Sequence, residues 1–343
     1  MEIGLQADDT AISGTTKISE RERQLIAAVE FNLESSVESL ARTLKMPSSA
    51  VSYSLKKLVD NEILRPRCFV NSYKLGLEDV GFFFNLVEQS PTARTKLIKK
   101  FREHESIAYF GSLLGDYQFI AVILSHGIQH AAKLVRELTE SSGDIVTEKK
   151  IVPRIRAERF VRKYLSPKHA SKTIFQLYSD GVPFAADEID QKILLTLGNT
   201  PFESLRHISR VSGLPFATVD RRVKGLRKAG VIQGFFYDLN TTKLGIQSFR
   251  VLIEVKGLSC PVREMVLKTC RNHPAVTYLI ETLGSWDFEL GVETVDARVV
   301  SRVVEELYGA TERRIGSSQV LMELEDFMCR YYPGKLGVGA HRS

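Results

Sequence analysis

At 343 residues, with 43% hydrophobic and 26% charged residues, the chain has the composition of a globular protein with room for about two to four small domains. Its net charge of +6 is too modest for a chain coated in positive charge, and it suits a localised basic patch of the kind a nucleic acid meets. No apolar run approaches the ~20 residues that span a bilayer, the opening segment lacks the charged start and apolar core of a signal peptide, and Cys68, Cys260, Cys270 and Cys329 are scattered without close pairing. A reduced, cytoplasmic protein with no membrane partner is expected.

Residues 1–16 read as a disordered tail. Ser19 and Glu22 in "ISERERQLIAAVE" then form a capping box before an amphipathic helix. "ESLARTLKMPSSAVSYSLKKLVDNEIL" supplies two further helices, the last carrying Ser48, Ser49, Ser52, Tyr53 and Ser54. Lys56 and Lys57 on it are offset by Asp60 and Glu62, and Arg65 and Arg67 follow in a wing-like stretch. Hydroxyls and a tyrosine still donate to phosphates, but this helix lacks the Coulombic attraction that supplies most non-specific affinity for DNA. Over 77–165 the pattern is strand, helix, strand, strand, helix, strand, from "GFFFNLVE" to a last strand inside 144–156, the split order of a ferredoxin-like sandwich. Such a sandwich leaves one sheet face bare and tends to pair with another.

A linker is expected over 166–186, after which the same order begins again. Asp187 caps a helix with Glu188 and Asp190 in its first turn; Thr200, Pro201 and Glu203 mark the start of a second, which Gly213 stops. Next comes "LPFATVDRRVKGLRKAGVIQG". A helical reading puts Val219, Val223 and Leu226 in one apolar stripe, with Arg221, Lys224 and Lys228 opposite beside Ala217, and Arg222 and Arg227 flanking the stripe. Only Asp220 answers these cations nearby. "VIQGFFYDLN" reads as two short strand pieces about Gly234, a small wing. Together these make a winged helix-turn-helix whose basic third helix enters the major groove of DNA.

Sliding the chain on itself by about 168 residues aligns its two halves. Pro47 falls on Pro215, Val51 on Val219, Leu58 on Leu226, "YKLG" on "TKLG", and "SIAYFGSLLGDYQFIAVIL" on "AVTYLIETLGSWDFELGVE". The organisation is therefore 1–16 tail, 17–76 first winged helix-turn-helix, 77–165 first ferredoxin-like domain, 166–186 linker, 187–245 second winged helix-turn-helix, 246–332 second ferredoxin-like domain and 333–343 flexible tail. The fold class is α+β. A tether of about 20 residues holds the two sandwiches near millimolar effective concentration, so they should close on each other as an intramolecular pseudo-dimer.

A winged helix-turn-helix followed by a sandwich containing Gly284-Ser285-Trp286-Asp287 resembles the Lrp/AsnC (feast/famine) family of transcriptional regulators. "DEIDQKILLTL", "SGLPFATVDRRVKGLRKAGVI", "TKLG", "NHPAVTYLIETLGSWDFELGVE" and "SSQVLMELE" carry the match, twice over across Lys17 to Tyr332. The resemblance implies operator binding by the first domain of each unit, dimerisation through the sheet of the second, and small effectors, often amino acids, held there. Two departures stand out. Two units are fused here, and Gln118 in Gly115-Asp116-Tyr117-Gln118 replaces an acid, which puts any effector site of the first half in doubt.

The expected partner is double-stranded DNA, met by Ala217, Thr218, Arg221 and Arg222 at base edges and by Lys224, Arg227 and Lys228 near phosphates, with Ser49, Ser52, Tyr53, Lys56, Arg65 and Arg67 as contacts of the first unit. An amino-acid effector would use Tyr278, Thr282, Gly284, Ser285, Trp286 and Asp287: backbone amides for a carboxylate, Asp287 for an ammonium, aromatic rings for a wall. Asp287 fixing the turn and Trp286 filling an interface is the alternative. Further homo-oligomers are expected from the edges and helix faces left over. No cofactor or metal is implied: Cys270 with His273, and His126 with His130, each lack a second pair of ligands. Some proteins similar to this family are siroheme decarboxylases, and Arg65 and Arg67 are the only hint of such an enzyme here. A co-regulator that senses effectors without touching DNA is the third possibility.

Overall fold

The computed structural model describes residues 15–87, 91–140, 142, 145–178 and 181–332; of the tails expected at the two ends, 1–14 and 333–343 lie outside them. Helix α1 (Glu20–Val29) opens on a capping box in which the Ser19 hydroxyl accepts from the Glu22 amide and the Glu22 carboxylate reaches back to Ser19. Helices α2 (Val37–Leu44) and α3 (Ser48–Asp60) complete the first head. Strand β1 (Leu64–Val70) leads through a short turn to β2 (Glu78–Leu86), α4 (Pro91–Glu103), β3 (Ile107–Leu114), β4 (Phe119–Ser125), α5 (Ile128–Glu140) and β5 (Val146–Phe160). After β6 (Ile174–Leu177) the order repeats: α6 (Glu188–Asn199), α7 (Leu205–Ser212), α8 (Phe216–Lys228), β7 (Ile232–Leu239), β8 (Gln247–Val255), α9 (Cys260–Asn272), β9 (Val276–Thr282), β10 (Phe288–Thr294), α10 (Arg298–Ala310) and β11 (Ile315–Cys329).

The two sandwiches are one closed body. Strands β5 and β11, 15 residues each, are long enough to serve both copies. The first part of β5 pairs with β2 and its later part with β9; the first part of β11 pairs with β8 and its later part with β3. With β2–β4, β4–β3, β8–β10 and β10–β9, the ring closes into an eight-stranded barrel. This is the pseudo-dimer, and it corrects one expectation: every barrel strand is paired on both sides, so the sandwiches keep no free edge.

Alternation along the strands sorts side chains to the two faces of the barrel wall. Phe82 and Phe84 point outward to a core under α4 and α5, and Val251 and Ile253 to the matching core under α9 and α10. Phe83, Val152, Leu252, Trp286 and Leu321 point inward and form an apolar plug between the halves. Beyond the plug the interior turns ionic: Glu289, fully buried, accepts from Arg154 at 2.7 Å and from Arg250 at 2.9 Å, and Arg250 donates to Glu323 at 2.9 Å. Gly291 makes room here, since a Cβ would overlap the Tyr278 ring laid across it.

The heads are joined by strand exchange. β1 pairs antiparallel with β7 from Leu64 opposite Leu239 to Val70 opposite Ile232. The core of the first head contains Tyr237 and Leu239 of β7, and that of the second contains Cys68 and Val70 of β1. The wings are therefore not hairpins within each unit. The two strand pieces expected about Gly234 are one continuous strand, and the glycine serves an approach instead of a turn: a Cβ would meet the Phe175 ring at 3.1 Å. Phe175 belongs to β6, so the linker expected over 166–186 is in part a strand of the structure, paired with β5 and stacked between Phe31 and Phe69. A second correction concerns α7, which starts four residues beyond Pro201: Ser204 caps it by accepting from His207, while Thr200 ends α6.

Candidate nucleic-acid interface

Helix α8 is seated by Val219, Val223 and Leu226, each at most 2% exposed. Burial of three such side chains contributes roughly 1.5–3 kcal/mol each, enough to fix which way the other faces point. Ala217, Arg221, Lys224, Arg227 and Lys228 are exposed, while Thr218 and Arg222 are half-buried. The cations are not equivalent. Arg222 lies against the start of α6, 2.7 Å from Asp187 and 3.2 Å from Asp190. Arg227 reaches across to Glu34 of the first head at 2.5 Å and covers the Phe235 ring. Lys224 pairs with Asp220 one turn away, a surface pair of small worth.

In the free chain Arg222 is a strut between α8 and α6 and Arg227 a tie between the heads; their partners lie far off in sequence, where a count of neighbouring charges does not reach. The acids expected to offset the first head's lysines are different ones. Lys57 bonds Glu22 at 2.8 Å, and Glu62 meets Lys243 of the second head. Ser49, Ser52, Tyr53 and Lys56 are exposed along α3, Tyr53 at 72%. Arg65 and Arg67 sit half-buried on β1, within the sheet between the heads.

The structure adds residues that the sequence reading passed over. Phe216, 41% exposed at the start of α8, lies under the Arg206 guanidinium at 4.8 Å, and Arg210 is exposed on the same helix as Arg206. An arginine held on an aromatic ring beside the helix start extends the basic face. The signal was an exposed aromatic directly after Pro215.

The six expected effector residues do not converge. Ser285 and Trp286 line a cavity of about 170 Å³ together with Lys150, Glu254, Tyr117 and Gln319. The Trp286 indole nitrogen is buried without a hydrogen-bond partner among the described residues. Tyr278 lines a different, larger space, and its hydroxyl donates to Glu323. Asp287 accepts from the Val255 amide at 2.7 Å, Thr282 donates to the Trp286 carbonyl at 2.6 Å, and Gly284 occupies the turn at φ 124°. Those three hold the turn. Among the described residues no cluster of His, Cys, Asp or Glu could hold a metal ion, and no helix is long and apolar enough to cross a membrane.

The larger space, about 290 Å³, is a chamber between the barrel mouth and the two heads. Wing residues Phe69 and Val70 of β1 and Asp238 and Leu239 of β7 roof it, and Asp79, Arg154 and Arg250 line the barrel side. Arg162 ties the layers together, donating to Glu30 of the first head at 2.5 Å and to Glu293 of the barrel at 2.7 Å. Burial pushes the Glu30 carboxyl up, against the pull of Arg162.

A third helix seated on a helix-turn-helix, basic outward, defines a winged helix-turn-helix DNA-binding protein, and residues 187–233 match a family model described as winged helix-turn-helix DNA-binding. The chain is 30% identical over 120 residues to the HTH-type transcriptional regulator FL11 of Pyrococcus horikoshii, covering 35% of this chain and 78% of that one. It is 30% identical over 139 residues to FL11 of Pyrococcus furiosus, covering 40% and 88%. Among solved structures it is similar to the siroheme decarboxylase NirDL, with a TM-score of 0.58 and 11% identity over 91% of this chain and 93% of that one, a likeness of fold. The chain belongs to the HTH-type transcriptional regulators of the Lrp/AsnC family, in a tandem form.

Proposed function

We propose that the chain regulates transcription by binding duplex DNA chiefly through its second head. The observation that carries this is the outward face of α8, where Ala217, Arg221 and Lys228 are exposed with no acid within ion-pair distance among the described residues. Arg221 reads base edges, and Lys228, with Arg206 and Arg210 beside it, neutralises phosphate. The first head supplies hydroxyls and Lys56 to the backbone and contributes less. The test separates the two arginines. Arg221→Ala should weaken binding to selected genomic fragments by about 1–3 kcal/mol and relax their sequence preference. Arg222→Ala should leave preference intact and cost about 1 kcal/mol of stability. If Arg221→Ala shifts the same fragments with unchanged affinity, the assignment is wrong.

A small effector suits the cavity beside Trp286. Lys150 and the unpartnered indole nitrogen favour a carboxylate there, and Glu254 favours an ammonium, the two ends of an amino acid. Thermal shifts against the amino acids test this; no shift well above ~1 mM would count against it. Whole chains would associate further through helix faces, which sedimentation measures.

The enzyme reading has one feature in its favour, the arginines of the chamber in a fold like that of a siroheme decarboxylase. Its charge balance speaks against it. Six carboxylates face five guanidiniums, and all five guanidiniums are already bonded within the chain. A polycarboxylate would meet as much repulsion as attraction there. The chain should therefore fail to retain an iron uroporphyrin on gel filtration.

A further inference from the structure

The chamber between heads and barrel is lined by no residue of α8 and shares none with the Trp286 cavity. Its groups are unevenly satisfied. Arg154, Arg159 and Arg162 spend their charge on Glu289, Asp238, Glu30 and Glu293. Asp79 is different: it is 7% exposed, and its hydrogen-bond partner is a hydroxyl, Ser72 at 3.2 Å, with no cation in ion-pair distance among the described residues. At the rim Asp326 likewise accepts from a hydroxyl, that of Tyr109. Independently, the Nε of Arg250, on a residue 5% exposed, has no acceptor among the described residues. Between these polar points the walls are apolar, formed by Phe69, Val70, Val122, Leu124, Leu239 and Ile280. Surplus carboxylate, an orphaned buried donor and an apolar body of about 290 Å³ specify complementary chemistry in whatever fills it.

We propose that the chamber is a second ligand site, distinct from the Trp286 cavity, for a small organic amine that carries an acceptor oxygen at the far end of an apolar chain. The ammonium lies between Asp79 and Asp326, the acceptor takes the Arg250 Nε, and the chain rests on the wing residues of both heads. Because β1 and β7 roof the chamber, occupancy binds both heads to the barrel at once. The amine should thus stabilise the whole chain instead of one domain.

The experiment is a thermal-shift and calorimetric titration of the intact chain with a ladder of ω-amino amides of increasing length, the N-acetylated amides serving as uncharged controls. One length should bind best, its acetylated form about tenfold or more weaker, as expected for a lost charge pair. Asp79→Asn with Asp326→Asn should weaken the amine by at least that factor and leave amino-acid binding at the Trp286 cavity unchanged. Ala108→Leu, which fills the chamber from one wall and removes no polar group, should abolish amide binding while the chain still melts cooperatively. Equal binding of amine and acetylated forms, retention in the Ala108→Leu variant, or no binding at any length overturns the proposal. None of these outcomes bears on DNA binding through α8.

Discussion

Glu289→Met is the sharpest test of how the two halves of the barrel are held. The carboxylate is 0% exposed and bonds Arg154 from the first copy and Arg250 from the second. Burial alone would push its pKa up; Arg154 and Arg250 together hold it below the ordinary value. Replacement leaves Arg250 with Glu323 at 2.9 Å, but Arg154, with a side chain 6% exposed, loses its carboxylate. Breaking one partner from a buried pair costs about 3–5 kcal/mol, mostly the desolvation of the orphan. Removing both partners, Arg154→Met with Glu289→Met, should bring stability back to within about 1–2 kcal/mol of the parent chain. The chain's single tryptophan, Trp286, packs against Phe83 inside the barrel, so its fluorescence reports this event in a urea titration. The single variant should unfold at about 1–3 M less urea. Equal losses in the single and double variants, or a single-variant loss below about 1 kcal/mol, would refute the claim that the network clamps the halves.

Two further outcomes follow from other parts of the molecule. Burial pushes the Asp79 carboxyl up to about 6, against the pull of Arg154 and of the Ser72 hydrogen bond, from 3.8 when exposed. A raised acid favours the folded state when protonated, so its contribution falls as pH rises from about 4 to about 6 and is level above; Asp79→Asn, measured by pH-dependent melting, should gain up to about 3 kcal/mol relative to the parent between those limits. Cutting the chain between 166 and 186 and mixing the halves should yield a mixed pair in preference to either self-pair, because Arg154 and Glu289 come from different copies; native mass spectrometry showing mostly self-pairs would contradict this.

The order of strands and helices in the two units was legible because its signals are local. Continuous apolar runs such as "GFFFNLVE" and "SFRVLIEVK" mark strands buried on both faces, and capping residues such as Ser19 and Asp187 mark helix starts within a few positions. What the sequence hid is pairing across distance. Nothing near Gly234 says that β7 pairs with a strand from the other copy, and the tight aromatic packing on Gly234 imitates a turn signal. The partners of Arg222 and Arg227 are hidden in the same way. Thr200 and Pro201 imitate a helix start so well that Ser204, the cap in use, was passed over. The chamber had no sequence signal of its own, because its wall draws on strands of both copies and both heads.

The exchange of β1 and β7 bears on what kind of operator this chain can use. Besides the strand ladder, the Tyr237 amide donates to the Glu30 carbonyl, Asn71 to Val231 and Asn240 to Ile63, so each head is stitched to the other at both ends of the shared strands. Heads on separate flexible tethers would tolerate half-sites at several spacings. These heads share one two-stranded sheet, so the spacing between them is set by the fold. On the proposed DNA binding, inserting half a helical turn between segments met by the two heads should therefore weaken binding, because it carries one of them to the far side of the duplex. The small-molecule regulation proposed above would then act on the two joined heads as a unit, or on how many chains assemble along the DNA.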